Sequence, residues 1–428
     1  MTVWRPTHAQ FRATAVAGVL VLAVLVRRPD LVVLGAPFGV LAVWGLLARP
    51  RASGPPVVRL ESDSPMLLEG QATRLRVTFE SPGADQVVVV LPRRRWFETD
   101  PVSGTRVVAG GGGVVEVGID VRALRWGRHQ LEAAFVVGAS LLGAYRTDLV
   151  RTDGLALVTW PLRDRFAAVD AVPRPAGLVG LHRSRRPGDG TEIAGVRAFR
   201  PGDRLRQINW AVSARTGSLH VTSTWSDRDT EVWLLLDTSD DVGASSGIDG
   251  TASSLDIAVR AAAAVAEHYL RNGDRVRLSD TASIVRAVRS GSGRGHLRRI
   301  LDSLVDANPH APASGGPRRQ VRHRPARAGT LVIALSPLLR AELLGDVVSL
   351  VHGGSTVVVV DTLPVEVTRD ASESPLLPLA WRLRLLERAS DVDRLGDLGV
   401  PVVPWRGAGT LDEVLRDVSR LTAAPRLR

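Results

Sequence analysis

Cysteine is absent from the 428 residues, and so is lysine. The first absence removes disulfides, iron–sulfur clusters and thiolate zinc sites together, so any bound metal must sit on oxygen or imidazole. The second removes a phosphate-loop lysine and a Schiff-base lysine, which excludes a P-loop ATPase. Aromatic residues amount to only 4%. Grooves for nucleic acid interleave stacking aromatics with clustered basic residues, whereas the arginines here are spread from Arg5 to Arg428. No nucleic-acid partner is expected. The formal charge of +11, from 55 basic against 44 acidic side chains, better suits a protein beside an anionic lipid leaflet. Hydrophobic residues at 45% and charged residues at 23% match an ordinary globular chain.

Long apolar runs are confined to the start, at 13–26 and 31–48, separated by Arg27-Arg28-Pro29-Asp30. At about 1.5 Å per residue they span roughly 21 and 27 Å as helices. With flanking residues snorkelling, that suffices for a transmembrane hairpin over residues 1–50 in a hydrocarbon core about 30 Å thick. A signal peptide is disfavoured, because no small-residue cleavage site follows the first run before the second begins. Arg5 and Arg12 precede the pair and Arg49, Arg51 and Arg59 follow it, while Arg27 and Arg28 in the turn are offset by Asp30. The positive-inside bias therefore places both termini and the soluble domains in the cytoplasm of a multi-pass cell-membrane protein.

Residues 51–162 read as short strands at 57–60, 73–79, 86–91, 114–121, 128–137 and 155–160, broken by turn material such as Ser81-Pro82-Gly83 and the glycines 110–113. Thr73, Leu75, Val77 and Phe79 alternate with Arg74, Arg76 and Thr78, giving one buried and one wet face. Near-regular spacing of such strands predicts a β-sandwich. Its histidine, His129, has no acid–base partner nearby in sequence and reads as structural.

Residues 229–428 alternate strand and helix patterns. Val232-Trp233-Leu234-Leu235-Leu236 is the continuous run of a strand buried on both faces, and it ends in Asp237-Thr238-Ser239-Asp240-Asp241. Leu255, Val259, Ala262, Ala266 and Leu270 share one helical face that stops at Asn272-Gly273. Further strands at 275–278, 283–288, 330–335, 356–361 and 400–403 alternate with helices near 296–305, 338–351 and 411–421, while 310–328 reads as a surface insertion rich in proline, glycine and arginine. The expectation is an α/β doubly wound sheet, with ligands outside the carboxyl ends of its strands, where Asp237 stands.

Between them, residues 163–228 hold the densest block: Gly190-Thr191-Glu192-Ile193, the run from Arg197 to Trp210, Ala214-Arg215 and Leu219. Pro201-Gly202-Asp203 is a turn by composition. Glu192, Arg197, Asp203, Arg206 and Arg215 suit an ion-pair lattice with Trp210 as its apolar anchor, or a partner-recognition surface built from the same residues together with Pro201, Gly202 and Asn209.

The order of these residue types, followed by a strand ending in Asp-x-Ser, resembles the family called Domain of Unknown Function 58. With hairpin and sandwich the likeness extends over nearly the whole chain. The family usually has tyrosine where Phe199 stands and aspartate where Asn209 stands. The C-terminal part resembles a von Willebrand factor type A domain, whose metal site begins Asp-x-Ser-x-Ser. That likeness implies Mg2+ at Asp237, Ser239 and Asp241, whose alternating oxygens suit a hard divalent ion. Asp241 replaces the second serine, Pro337 follows Ser336 where that family often has aspartate, and Ser292 is the provisional counterpart of its threonine.

The first resemblance also implies companionship with MoxR-type AAA+ ATPases. The expected function is thus a membrane-anchored, non-enzymatic adaptor in chaperone-like assembly, touching an AAA+ ATPase, other membrane-complex proteins and the bilayer. The alternatives are a metal-assisted hydrolase using Asp237, Asp241 and His182 or His220, for which no acid–base pair stands at diagnostic spacing, and an envelope structural protein of reverse topology.

Overall fold

The computed structural model of the chain describes residues 4–50, 55–110, 113–162, 184–200, 205–226, 231–281, 287–309, 330–365, 367, 376–406 and 410. It divides into two compact units, Met1–Trp160 with Gly247–Asp249, and Pro161–Ser246 with Gly250–Arg428.

The first unit opens with a two-residue strand, β1 (Arg5–Pro6), then α1 (His8–Leu25) and α2 (Pro29–Leu47). Both helices are long and apolar enough to cross a membrane. Pro29 stands where its fixed φ starts a helix without losing a bond, and Arg27, at φ 58°, makes the tight reversal before it. Small residues bring the helices together: a Cβ on Gly35 would run into Leu20 and one on Gly45 into Gln10, while one on Gly39 would press on Leu20. Such spacing lets backbones approach closely in lipid. Gln10 is buried at this contact and donates its amide to the Ala42 carbonyl at 3.3 Å.

Twelve strands follow: β2 (Val57–Ser62), β3 (Met66–Leu68), β4 (Ala72–Glu80), β5 (Gln86–Val90), β6 (Phe97–Asp100), β7 (Thr105–Ala109), β8 (Val114–Ala123), β9 (Gly127–Leu131), β10 (Phe135–Ser140), β11 (Tyr145–Arg146), β12 (Val150–Arg151) and β13 (Leu155–Trp160). One sheet runs β1-β11-β10-β5-β7 with β12 on β10; the others run β2-β4-β8-β6 and β3-β13-β9. The alternation expected of residues 73–79 is realised: Leu75, Val77 and Phe79 of β4 and Val117, Ile119 and Val121 of β8 bury one face against Val87, Val89 and Val136 of the facing sheet. Trp4 joins this core, and β1 pairs with β11 at Arg5↔Arg146 and Pro6↔Tyr145.

His129 on β9 packs edge-on against Phe97, with ring centroids 5.4 Å apart, and its Nε2 meets the Arg125 carbonyl at 3.0 Å. Burial pushes its pKa below the ordinary value, outweighing the opposing pull of the Arg125 carbonyl. A histidine whose folded pKa is depressed leaves more protons on the unfolded chain, so stability falls as pH drops below about 6.5. Thermal unfolding of the sandwich between pH 7 and 5 is expected to show this loss, at most about 1.4 kcal/mol per pH unit. His129→Gln should flatten it; an unchanged slope would assign the acid sensitivity elsewhere.

The second unit begins with β14 (Ser184–Ala198), a 3-10 turn (Leu205–Gln207), α3 (Trp210–Thr216) and β15 (His220–Ser226), which pairs antiparallel with β14. Then come β16 (Glu231–Leu236), α4 (Ser254–Arg271), β17 (Arg275–Asp280), β18 (Val288–Gly291), α5 (Arg294–Val305), β19 (Leu331–Ser336), α6 (Ala341–His352), β20 (Thr356–Asp361), α7 (Leu377–Asp397) and β21 (Val402–Pro404). The sheet order is β18-β17-β16-β19-β20-β21. All neighbours are parallel except β18, which runs antiparallel to β17.

This is the doubly wound arrangement expected, with two differences. The reversed edge strand β18 meets the strand anticipated at 283–288 only at Val288, residues 283–286 lying outside the described residues, and the sequence pattern did not predict α7. Trp233, Leu235, Val332, Ala334, Val357 and Val359 bury one sheet face with Leu343 and Val347 of α6 and Leu395 of α7. The anticipated helix at 411–421 and insertion at 310–328 lie outside the described residues.

Candidate functional site

The parallel strands β16, β17, β19 and β20 end together at their carboxyl edge, and Asp237 is the first residue past β16. Its N–H donates to the Leu335 carbonyl at 2.9 Å, and the Thr281 N–H donates to Leu236 at 2.9 Å, which draws the neighbouring strand ends around it. The Asp237 carboxylate is buried. Its Oδ1 accepts the Ser239 N–H at 3.0 Å and the Thr281 hydroxyl at 3.1 Å. Its Oδ2 accepts the Ser336 hydroxyl at 2.6 Å. The Ser336 oxygen in turn accepts the Leu338 N–H at 2.9 Å, and Thr238 donates to Asp280 at 2.7 Å. One carboxylate thus ties the ends of three strands.

The rim is braced by arginines. Arg340 forks onto Asp240, with Nη2 2.6 Å from Oδ1 and Nε on the other oxygen, and that bond raises the guanidinium pKa further. From α7, Arg384 donates to the Leu339 carbonyl and Arg388 to the Pro337 carbonyl, each at 2.8 Å. Arg388 also pairs with Asp361, the last residue of β20. On α6, Asp346 is half-buried. Desolvation chiefly, then the charges of Asp237 and Glu342, push its carboxyl above the usual range.

Of the oxygens proposed for Mg2+, Asp237 and Ser239 lie together, but Asp241 does not join them. Its Oδ1 accepts the Leu255 N–H at 3.1 Å and the Ser254 hydroxyl at 3.5 Å, so it serves the first turn of α4, where unpaired N–H groups and the helix dipole favour an anion. The threonine beside Asp237 is Thr281; Ser292 is far from it, since Gly291 pairs with Val276 near the start of β17, which puts Ser292 at the opposite, amino end of the strands. The Asp237 carboxylate already accepts bonds on both oxygens, with hydroxyls around it, and the Oδ1 of Asp241 is committed to the start of α4. A hard divalent ion takes six or more oxygens, with several carboxylates in tight sites. The described residues fit such an ion poorly.

Within the signature block, Asn209 is the N-cap of α3. Its Oδ1 accepts the Val212 N–H at 3.1 Å and its amide donates to Thr222 at 3.3 Å. Asparagine and aspartate cap equally well, so the asparagine here keeps the local fold. Trp210 follows at 69% exposure and is not a buried anchor. Arg197 donates to the Ala198 carbonyl at 3.1 Å, and Arg215 lies exposed in the last turn of α3. Glu192 belongs to β14 and Arg206 to the 3-10 turn, their side chains lying outside the description; Pro201, Gly202 and Asp203 are outside it altogether, as is His182. The Nδ1 of His220 meets the Ser218 carbonyl at 2.8 Å and the Thr216 hydroxyl at 3.1 Å, a local turn bond.

Residues 195–383 match the family model described as Protein of unknown function DUF58. The match runs from the end of β14 through the Asp237 cluster into α7. An uncharacterized protein of Mycobacterium bovis and two of Mycobacterium tuberculosis strains are each 36% identical over 172 residues, covering 39% of this chain and 47% of the relative. The chain thus spans about half the length of the curated relatives it matches.

Proposed function

We propose that this protein is a membrane-anchored, non-enzymatic adaptor that docks a cytoplasmic protein, a MoxR-type AAA+ ATPase, in chaperone-like assembly. The two apolar helices span the bilayer as a hairpin with both ends in the cytoplasm, a topology supported by the arginines flanking them. The C-terminal sheet acts as a von Willebrand factor A-like docking domain; the strand order with its reversed edge and the hydroxyls gathered at Asp237 support that likeness. Asp237 works as a structural tie, with no metal.

The observation that carries the docking role is α7. Leu376, Leu379, Leu383 and Leu386 recur at helical spacing and stand 69%, 64%, 59% and 67% exposed, an apolar stripe of the kind that seats in a partner's groove. The choice of an ATPase follows the resemblance of the signature block.

The test is crosslinked co-purification from gently solubilised membranes. Wild type should capture an AAA+ ATPase, and the Leu379→Ser/Leu383→Ser/Leu386→Ser variant roughly tenfold less, as expected for a loss of more than about 1.4 kcal/mol at an interface core. Equal capture by the variant would remove α7 from the contact, and capture of no ATPase by wild type would sink the adaptor role.

A further inference from the structure

We propose that the turn Leu141-Leu142-Gly143 sits in the lipid headgroup–acyl boundary, so that the sandwich rests on the bilayer at the foot of the hairpin. This inference depends on α1 and α2 spanning the membrane. Thr7, the residue before α1, donates its N–H to Ala144 at 2.9 Å and its hydroxyl to Gly143 at 2.6 Å. The turn is therefore held at the depth of the helix start.

That depth is set by length and by aromatics. The 18 residues of α1 rise about 27 Å, slightly less than the hydrocarbon thickness of about 30 Å, so no helical residue is spare to lift the sandwich off the surface. Phe11, in the first turns of α1, and Trp44, near the end of α2, are 61% and 60% exposed. The approach of Gly45 to Gln10 puts them at one height, and an amphipathic tryptophan ring at such a helix end, here Trp44, marks the membrane interface. Phe11 lies only four residues, about 6 Å along the helix, beyond Thr7. On the α2 side, Gly83 lies between Pro50 and Trp4, so the second helix returns to the same end of the sandwich.

The turn is shaped to present an apolar side chain there. Leu141 and Leu142 both hold positive φ, 53° and 56°, a region that L-residues avoid and that persists where surroundings demand it. Leu141 packs on the sandwich core, while Leu142 projects at 82% exposure. Leu149 supplies a contrast: it is 59% exposed, but lies beyond Tyr145 and Arg146, which pair successively with Pro6 and Arg5, leading away from the helix. Three further residues place it about 10 Å to the aqueous side, beside the Arg5–Asp148 ion pair at 2.8 Å.

Because the chain holds no cysteine, single thiols report position directly. Leu142→Cys, Leu149→Cys and Val19→Cys proteins, each labelled with an environment-sensitive fluorophore, would be reconstituted in phosphatidylcholine–phosphatidylglycerol vesicles containing lipid with a nitroxide high on the acyl chain. A group seated about 5–10 Å into the boundary should lose roughly half its emission at position 142, while the label at 149 stays unquenched and open to aqueous iodide. Lipid quenching at 19 with an aqueous label at 142 would overturn the inference and leave the hairpin standing. Aqueous labels at both 19 and 142 would overturn both.

Discussion

Asp237→Ala is expected to cost the C-terminal sheet about 2–4 kcal/mol, because bonds to a charged acceptor contribute roughly 1.5–3 kcal/mol each but add incompletely when they share one atom group. The variant removes the acceptor for the Ser239 N–H, the Thr281 hydroxyl and the Ser336 hydroxyl, and leaves Ser336, fully buried, without the partner of its proton. Asp237→Asn keeps one acceptor oxygen but points an amide at a hydroxyl, and should lose about half as much. Hydrogen exchange in the full detergent-solubilised chain reads the effect locally, through strands β16 and β19, where global melting of several domains would blur it. The same experiment separates tie from metal site. Wild-type protection should be indifferent to millimolar magnesium and to chelator; if magnesium raises it and only Asp237→Ala abolishes the gain, the carboxylate is a ligand and not a tie.

How far the sequence foretells this cluster depends on the range of each signal. The Leu75, Val77, Phe79 alternation and the unbroken Val232–Leu236 run report burial residue by residue, and both elements stand where the pattern puts them. Thr281 carries no such local mark. It reaches Asp237 only because β17 continues to Asp280, past the residue 278 where its apolar pattern ends. Trp4 was illegible for the same reason: a two-residue strand has no period, and its partner β11 lies about 140 positions on. Other features carry a local mark in the sequence. Asn209 before a short helix, with Gly217 after it at φ 68°, is a capping pattern at both ends. Ser253 and Asp256 form a capping box that marks where α4 begins, and Asp241 serves that same helix start. A carboxylate near a helix N-terminus competes for the helix as well as for a cation, and spacing alone does not say which wins.

The other large effect is expected beneath the site, at Trp233. This side chain is 1% exposed on the central strand β16, paired on both sides, and packs with Leu343, Val347 and Leu395 from the covering helices. Trp233→Ala removes the largest side chain of that layer and should cost about 3–5 kcal/mol, since a packed sheet cannot collapse into the space. The Arg277 guanidinium lies 4.2 Å from the ring centroid. That contact is worth about 0.5–1 kcal/mol where partly exposed, so Arg277→Leu should cost little alone and the double-mutant cycle should return only that coupling. Most of the loss is then core. Its consequence reaches the candidate site, because the helix that covers Trp233 also holds the 337–340 loop through Arg384 and Arg388. Trp233→Ala should therefore loosen protection around Ser336 and Asp237 as well as in β16, whereas Trp233→Phe, which fills most of the space, should spare it. A destabilised strand with an undisturbed Asp237 cluster would mean that the arginine brace holds independently of the core.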